Sequence, residues 1–355
     1  MLYYIARLAS VFGIFVLSNF SAGFSQTEKK LIKEVFISYE NEFSAGNYIY
    51  VPIQIKQMKT SQEYVILDIG QSCIFVLSKD LKLLRRFGRL GQGPGDLLNP
   101  CCFDIDSNNN IYVLEYGNKR ISVFNLDGKF KNSFRLSVMT IPDKAGIMIS
   151  KNNTIVINEP QNEKFITEYS PDGKIIKQFG KINPDKSADL LWRAGYIVQA
   201  NNSNYYVILD SYDVIQIYDV NGTLIKEQKI SSIFTFLPTI EKRIENFKKL
   251  QKLVLGTARG VVLTQSANSF IDIRYGQGYI YIFPSPNYLG DSNNYKIFIL
   301  NNNLENINTL NLPLTKEDFA DKKYFLYRKN FEVLTNTDIL FSIREKSEIY
   351  LFKNK

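Results

Sequence analysis

The stretch that decides the fold covers residues 87–130, FGRLGQGPGDLLNPCCFDIDSNNNIYVLEYGNKRISVFNLDGKF. It contains a glycine-rich connection, three short apolar strands separated by polar turns, and a closing Asp-Gly pair. Asp-Gly between runs of aromatic and β-branched residues is a strong signal for a tight hairpin. The stretch therefore predicts consecutive antiparallel strands, and the rest of the chain repeats it in looser form.

Similar hairpin signals recur along the sequence at 78–82, 125–129, 170–174, 219–223 and 301–305. Their spacing is roughly 45 to 49 residues, except for the last gap, which is long enough to need an insertion. A period in the forties with four short strands per unit is typical of a β-propeller blade. We predict an all-β, six-bladed β-propeller with four-stranded antiparallel blades and one helical insertion between blades four and five.

The six predicted blades cover residues 48–87, 103–134, 147–179, 196–230, 270–312 and 324–352. Blade six has an alternative count that begins at Phe331 and takes its fourth strand from the N-terminal segment at 32–38. We favour this second count, because it gives LIKEVFIS a partner and removes free sheet edges, which would otherwise template aggregation.

The run DSNNNIYVLEYGNKRISVFNLDGKF, 106–130, resembles an NHL-type repeat, and GRLGQGPGDLLNP, 88–100, resembles the connection of secreted six-bladed propellers common in Bacteroidetes-type bacteria. The NHL likeness is good over blade two, partial over blades one, three and four, and poor over the last two. This resemblance to NHL-like and TolB-like propellers implies a fold and a secreted compartment more than an activity.

Composition excludes several chemistries. The 355 residues include no histidine, so a Ser-His-Asp or Cys-His nucleophile system cannot be built, and histidine-ligated metals are excluded. The three cysteines, Cys73, Cys101 and Cys102, include no CxxC pair. Both a disulfide between neighbouring blades and unpaired thiols are compatible with the sequence.

The N-terminal residues 1–25 have the order of a secretory signal peptide, with Arg7 before an apolar run and small residues at the end. The alternative is an uncleaved N-terminal anchor. We expect a single propeller domain at 26–355, periplasmic or secreted and monomeric, with no transmembrane span in the mature chain and no lipobox cysteine. The net charge of +8 is scattered, so we expect no nucleic-acid partner.

Propeller topology predicts where a ligand binds. The links between strands two and three of a blade, and from strand four to the next blade, share one face, here called the connection face. The unusual loops fall there, and long loops on a rigid scaffold commonly carry binding sites. The candidate ligand-binding residues on this face are Arg89, Asp96, Glu115, Tyr116, Asn118, Trp192, Asp210, Tyr212 and Tyr288.

An acidic residue closes strand two in four successive blades, at Asp68, Glu115, Glu159 and Asp210. One interpretation is a carboxylate ring at the connection face that binds Ca²⁺, which favours oxygen ligands. The other is that each acid pairs locally with a neighbouring base such as Arg120, or caps a strand-end turn. Both remain open on the sequence alone.

Two further connection-face segments have alternative interpretations. The glycines of 88–95 can form an anion-binding nest, or they can permit a tight crossover between blades. The insertion, about 231–268, contains an amphipathic helix predicted at 238–256. That helix is a packed cover, a mobile lid, or a helix for a membrane surface or partner.

Two functions from different classes fit these observations. The first is a secreted or periplasmic binding module for a glycan, a peptide or a cell-envelope protein, with the ligand at the connection face. The alternative is a Ca²⁺-dependent lactonase-like hydrolase or lyase that uses carboxylates at the central channel. The absence of histidine favours the binding module, because the resemblance to such hydrolases implies that histidine often takes part. A structural partner within an outer-membrane assembly is a variant of the first function.

Overall fold

The computed structural model describes residues 29–38, 43, 46–137, 145–161, 164–181, 195–209, 213–237, 242, 245, 270–284, 295–314, 331–334, 337–343 and 348–354. The predicted signal peptide, most of the predicted insertion, and the candidates Trp192, Asp210, Tyr212 and Tyr288 lie outside these residues. No helix within the described ranges is long and apolar enough to cross a membrane.

Blades one to four are separate four-stranded antiparallel sheets, each with its strands in chain order. Blade one is β2 (Pro52–Gln57), β3 (Tyr64–Asp68), β4 (Cys73–Leu77) and β5 (Leu83–Phe87). Blade two is β6 (Pro100–Ile105), β7 (Ile111–Glu115), β8 (Arg120–Phe124) and β9 (Phe130–Arg135). Blade three is β10 (Ile147–Ile149), β11 (Ile155–Gln161), β12 (Lys164–Tyr169) and β13 (Ile175–Lys181). Blade four is β14 (Gly195–Gln199), β15 (Tyr205–Leu209), β16 (Val214–Tyr218) and β17 (Leu224–Lys229).

The last two blades show how the ring closes. Blade five is β18 (Phe270–Gly276), β19 (Tyr279–Pro284), β20 (Tyr295–Leu300) and β21 (Asn306–Leu312). Blade six is β22 (Phe331–Val333), β23 (Ile339–Ile343) and β24 (Glu348–Asn354), with the N-terminal strand β1 (Lys29–Ile37) as its fourth strand. β1 runs antiparallel to β24, with Leu31 opposite Asn354. The closure of blade six by the N-terminal strand is therefore confirmed, and the strand at 324–328 that the other count requires lies outside the described residues.

Burial follows strand position within a blade. The middle strands β3, β4 and β15 are buried along their whole length, because both of their faces pack against neighbouring blades. The outer strands β5 and β17 are half-buried or exposed. Each fully buried Ile, Leu or Phe contributes roughly 1.5–3 kcal/mol from the area removed from water, so the middle strands supply most of the core.

The Asp-Gly hairpins also join the blades to one another. Gly128 has φ +81°, and a Cβ there would lie 2.5 Å from the ring of Phe87 in blade one. Gly173 has the same relation to Phe134 of blade two. The glycine therefore provides the left-handed turn and also makes room for the last aromatic side chain of the preceding blade.

Little of the predicted helical insertion is described. The structure describes one short helix, α1 (Ile230–Ile233), at its start, where Ser231 Oγ donates to Asp213 Oδ2 over 2.7 Å. The helix predicted at 238–256 lies outside the described residues except for Lys242 and Glu245, so that helix stays a prediction.

The three cysteines are thiols in the structure, which is the second of the alternatives left open by the sequence. Cys73 and Cys102 are buried and Cys101 is partly exposed. Burial raises the pKa of the Cys73 thiol to about 11, so this side chain is a packing residue rather than a nucleophile.

Candidate functional site

The glycine-rich loop at 88–99 is a compact crossover between blades one and two. Leu97 N donates to Arg89 O over 2.7 Å, and Asp96 N donates to Gly93 O over 3.2 Å. The Asp96 carboxylate turns back into the loop, where it accepts a bond of 3.0 Å from Gly93 N. A Cβ on Gly91 would lie 2.5 Å from that carboxylate, so the glycine leaves room for the aspartate.

Arg120, the first residue of β8, holds this loop in place through three hydrogen bonds. Its guanidinium donates to Gln92 O over 3.1 Å, to Gly93 O over 3.0 Å and to Asp96 O over 2.9 Å. The loop thus turns carbonyl oxygens toward the guanidinium of Arg120. The N–H groups of Gly93, Asp96 and Leu97 form hydrogen bonds within the loop. These contacts favour the crossover over an anion-binding nest.

Glu115 is fully buried and is the hub of this network. It accepts hydrogen bonds from Leu98 N at 2.9 Å, Asn118 Nδ2 at 2.6 Å, Arg120 Nε at 2.8 Å and the Ser122 hydroxyl. A carboxylate offers about four lone-pair positions, so Glu115 is saturated by protein donors. Two of the predicted ligand-binding residues, Glu115 and Asn118, therefore hold the loop in place.

Asp68 has the same structural role in blade one. It is fully buried and accepts bonds from the backbone N–H groups of Tyr50, Val51 and Gln71. Burial raises the pKa of its carboxyl above the usual value, although these backbone bonds oppose the shift. Asp68 caps the turn at the end of β3, as the second interpretation of the acidic series predicts.

The predicted Ca²⁺ ring is not assembled by the acids that the structure describes. The oxygens of Asp68 and Glu115 are committed to protein donors, and a cation there would have to displace them. Within the described part of the chain, no group of three Asp, Glu or Cys side chains is placed to hold a metal ion. The side chain of Glu159 and the whole of Asp210 lie outside it, so their part in the ring stays a prediction.

Other candidates on the connection face are exposed. The Arg89 side chain is 84% exposed and donates to Asp96 Oδ1 over 2.7 Å, and this bond lowers the pKa of the Asp96 carboxyl. Tyr116 is 40% exposed in the turn after β7. Tyr48 and Tyr50, which the sequence analysis did not single out, are 40% and 53% exposed in the link before β2. The NYIY run that carries them was the available signal.

The inner strands form a cavity on the axis, at the end opposite the connection face. Its volume is about 560 Å³, and residues from β2, β6, β10, β14, β18 and β22 line it. We call it the axial cavity. The sequence analysis named none of its lining residues, because they come from six separate blades and share no local motif.

Comparison with known proteins agrees with this architecture. The model of the DUF5128 family, described as a six-bladed β-propeller, matches residues 50–252. Drosophila melanogaster protein brain tumor is 23% identical over 145 residues, which are 39% of this chain and 13% of that protein. This chain therefore matches only a small part of that curated relative.

Two solved structures share the fold. A member of the DUF4221 family from Bacteroides vulgatus aligns with TM-score 0.57 and 14% identity, over 93% of this chain and 100% of that one. Virginiamycin B lyase from Staphylococcus aureus, in a catalytically inactive histidine-to-alanine variant with quinupristin, aligns with TM-score 0.53 and 13% identity, over 92% and 100%. At these identities the likeness shows the fold alone.

Proposed function

Because the chain belongs to the DUF5128 family of six-bladed β-propellers, we propose that it is a binding module that holds a glycan, a peptide or a cell-envelope protein at its connection face. The observation that carries the proposal is the contrast on this face between buried acids and exposed binding side chains. Glu115 and Asp68 are fully buried, whereas Arg89, Tyr116 and Tyr50 reach the solvent.

A rigid platform supports such a role. The glycine-rich loop that carries Arg89 is held by Arg120 through three carbonyl bonds, so a partner would order few additional groups on binding. Tyrosine and arginine are enriched among the residues that dominate binding energy at protein surfaces. Trp192, Tyr212, Tyr288 and Asp210 lie outside the described residues; the sequence predicts them on this face, and they stay part of the proposal.

The compartment and assembly belong to this proposal as well. The order of residues in 1–25 supports export, which gives a periplasmic or secreted monomer. Exported modules meet glycans and envelope proteins rather than nucleic acid, and the scattered positive charge fits that setting.

The alternative, a Ca²⁺-dependent hydrolase or lyase, has less support. The similar lyase carries a histidine whose replacement by alanine makes it catalytically inactive, and this chain has no histidine. Of the four acids predicted to bind Ca²⁺, Asp68 and Glu115 are occupied by protein donors. The binding module is therefore the function we carry forward.

Glycan and peptide arrays probed with the purified chain test the proposal. For a ligand found this way, we expect Tyr116→Ser and Tyr50→Ser each to weaken binding about tenfold, as loss of an aromatic anchor does. Tyr279→Ser is the matched control, because Tyr279 has the same 40% exposure as Tyr116 but begins β19 at the opposite face. Equal losses in Tyr116→Ser and Tyr279→Ser, or no loss in either connection-face variant, would contradict the proposal.

A further inference from the structure

The axial cavity has two unlike walls. Met148, Ile149 and Ile197, from blades three and four, line one side with partly exposed apolar side chains. Lys56, Arg274 and Glu332, from blades one, five and six, line the other side. A volume of about 560 Å³ is in the range of small-molecule sites, so the cavity can take a compact amphipathic ligand.

Two of the charges on the polar wall are already neutralised. Lys56 Nζ lies 2.7 Å from Asp104 Oδ1, and Asp104 also accepts a bond of 2.7 Å from Ile149 N. Arg274 Nη1 lies 2.6 Å from Asp272 Oδ1. Burial lowers the pKa of Lys56, but the charges of Asp104 and Glu332 outweigh it, so the net shift is upward and the ammonium stays charged.

Glu332 is the third acid on this wall, and its ion-pair distance is the longest of the three. Its side chain is 19% exposed, and the nearest cation atom in the described ranges is Arg274 Nε at 3.8 Å. That Nε donates to Phe331 O over 2.8 Å instead. No described residue donates a hydrogen bond to Glu332. Burial raises the pKa of its carboxyl, although the charges of Lys56 and Arg274 oppose that shift. This wall therefore has three acids and two bases, so one acid is in excess.

The other charges near the cavity do not cancel that excess inside it. Lys59 and Lys151 are exposed at the mouth, where water and salt screen them. The Asp106 carboxylate accepts bonds from Asn108 N, Asn110 N and Tyr112 Oη, and so faces its own hairpin. The acid on this wall that lacks a hydrogen-bond donor among the described residues is therefore Glu332.

We propose that the axial cavity binds a small organic cation, with its ammonium group on Glu332 and its apolar body against Met148, Ile149 and Ile197. An ammonium supplies the hydrogen-bond donors that Glu332 lacks. An inorganic divalent ion fits less well, because it needs six or more oxygen ligands, and Glu332 is the one carboxylate on this wall that accepts no hydrogen bond from the described residues. This site is separate from the connection face and goes beyond the function proposed above.

Isothermal titration of the purified chain with hexylammonium chloride at pH 7 tests the site, with hexanoate and hexanol as matched probes of the same length. We expect saturable binding of hexylammonium, weaker binding of hexanol and none of hexanoate. Glu332→Gln should weaken hexylammonium binding about 10- to 100-fold, the size of a charge-assisted hydrogen bond. Glu332→Asp, which keeps the charge, should retain part of the affinity.

Glu34→Gln is the control substitution. Glu34 is an acid with 47% exposure on the outer strand β1, where it pairs with Lys353, so this variant should bind as the wild type does. Absence of saturable hexylammonium binding, equal binding by Glu332→Gln, or tighter binding of hexanoate would each overturn the proposal. None of these results would affect the connection-face proposal, whose test uses Tyr116 and Tyr50.

Discussion

Glu115 at the connection face and Glu332 in the axial cavity are the same residue type in opposite situations. Glu115 is fully buried and accepts four hydrogen bonds, one of them from Arg120. Glu332 is 19% exposed, lies 3.8 Å from Arg274 and accepts none from the described residues. A saturated carboxylate holds the scaffold, whereas one that lacks donors is available to a ligand. Hydrogen-bond satisfaction therefore distinguishes Glu115, which holds the scaffold, from Glu332, for which we propose a ligand.

The largest expected effect is on the saturated acid. Glu115→Gln removes the negative charge that pairs with Arg120, whose side chain is 13% exposed. One of the donors that now bonds to a Glu115 oxygen would then face the amide NH2 group. Removal of one partner of a buried pair costs about 3–5 kcal/mol, and urea denaturation should show a loss of that size. A loss of unfolding free energy no larger than that of Glu332→Gln would contradict the distinction between the two acids.

Arg89 in the glycine-rich loop and Arg120, which contacts that loop from β8, allow a second comparison of exposed and buried charge. Arg120 is 13% exposed and Arg89 is 84% exposed, yet their distances to Glu115 and Asp96 are similar, at 2.8 and 2.7 Å. We expect Arg120→Met to cost about 2–4 kcal/mol, because buried charge and carbonyl groups lose their partner. Arg89→Met should cost under about 1 kcal/mol, as exposed ion pairs do. Equal losses in urea denaturation would show that burial does not distinguish the two pairs.

The sequence predicted the architecture because that information is local. Hairpin signals and apolar runs placed blade one within 48–87, where the structure has the four strands β2 to β5. They also predicted that Ile32 and its neighbours close the ring, which the pairing of β1 with β24 confirms. The strands depend on residues within one strand or one turn, whereas the closure was predicted because the N-terminal strand had no other partner.

The roles of the connection-face acids and the axial cavity were harder to predict from the sequence. The acids that end strand two were singled out as one series, but whether an acid has donors depends on a distant segment, such as the Leu98 N–H that reaches Glu115. Lys56, Arg274 and Glu332 are far apart in the sequence and meet only because inner strands converge on the axis. A charged residue in an inner strand was the one signal that could have found them.

The substitution Glu332→Gln should change the free energy of unfolding less than Glu115→Gln does, and in the opposite direction. Because burial raises the pKa of this carboxyl, the folded state disfavours its ionised form. That penalty is absent below the unfolded value of about 4.3 and is fully present once the pH exceeds the raised folded value. Glu332→Gln should therefore be neutral or stabilising by up to about 1 kcal/mol at pH 7 without added cation.

Urea denaturation of wild type and Glu332→Gln at several pH values measures this difference. The stability of Glu332→Gln relative to the wild type should increase as the pH rises from 3 toward 7. Lys56, Asp104, Arg274 and Asp272 surround Glu332 in both proteins, so their contributions largely cancel in the difference. A variant that loses stability as the pH rises would mean that the ionised Glu332 is already well paired.

The melting temperature of the purified chain with millimolar Ca²⁺, and then with chelator, tests most directly whether the connection-face acids are structural. An ion that binds only the folded state raises the apparent stability by mass action. Because Asp68 and Glu115 are occupied by protein donors, we predict no shift. A clear rise with Ca²⁺ that chelator reverses would contradict this account and would favour the carboxylate ring and the enzyme alternative.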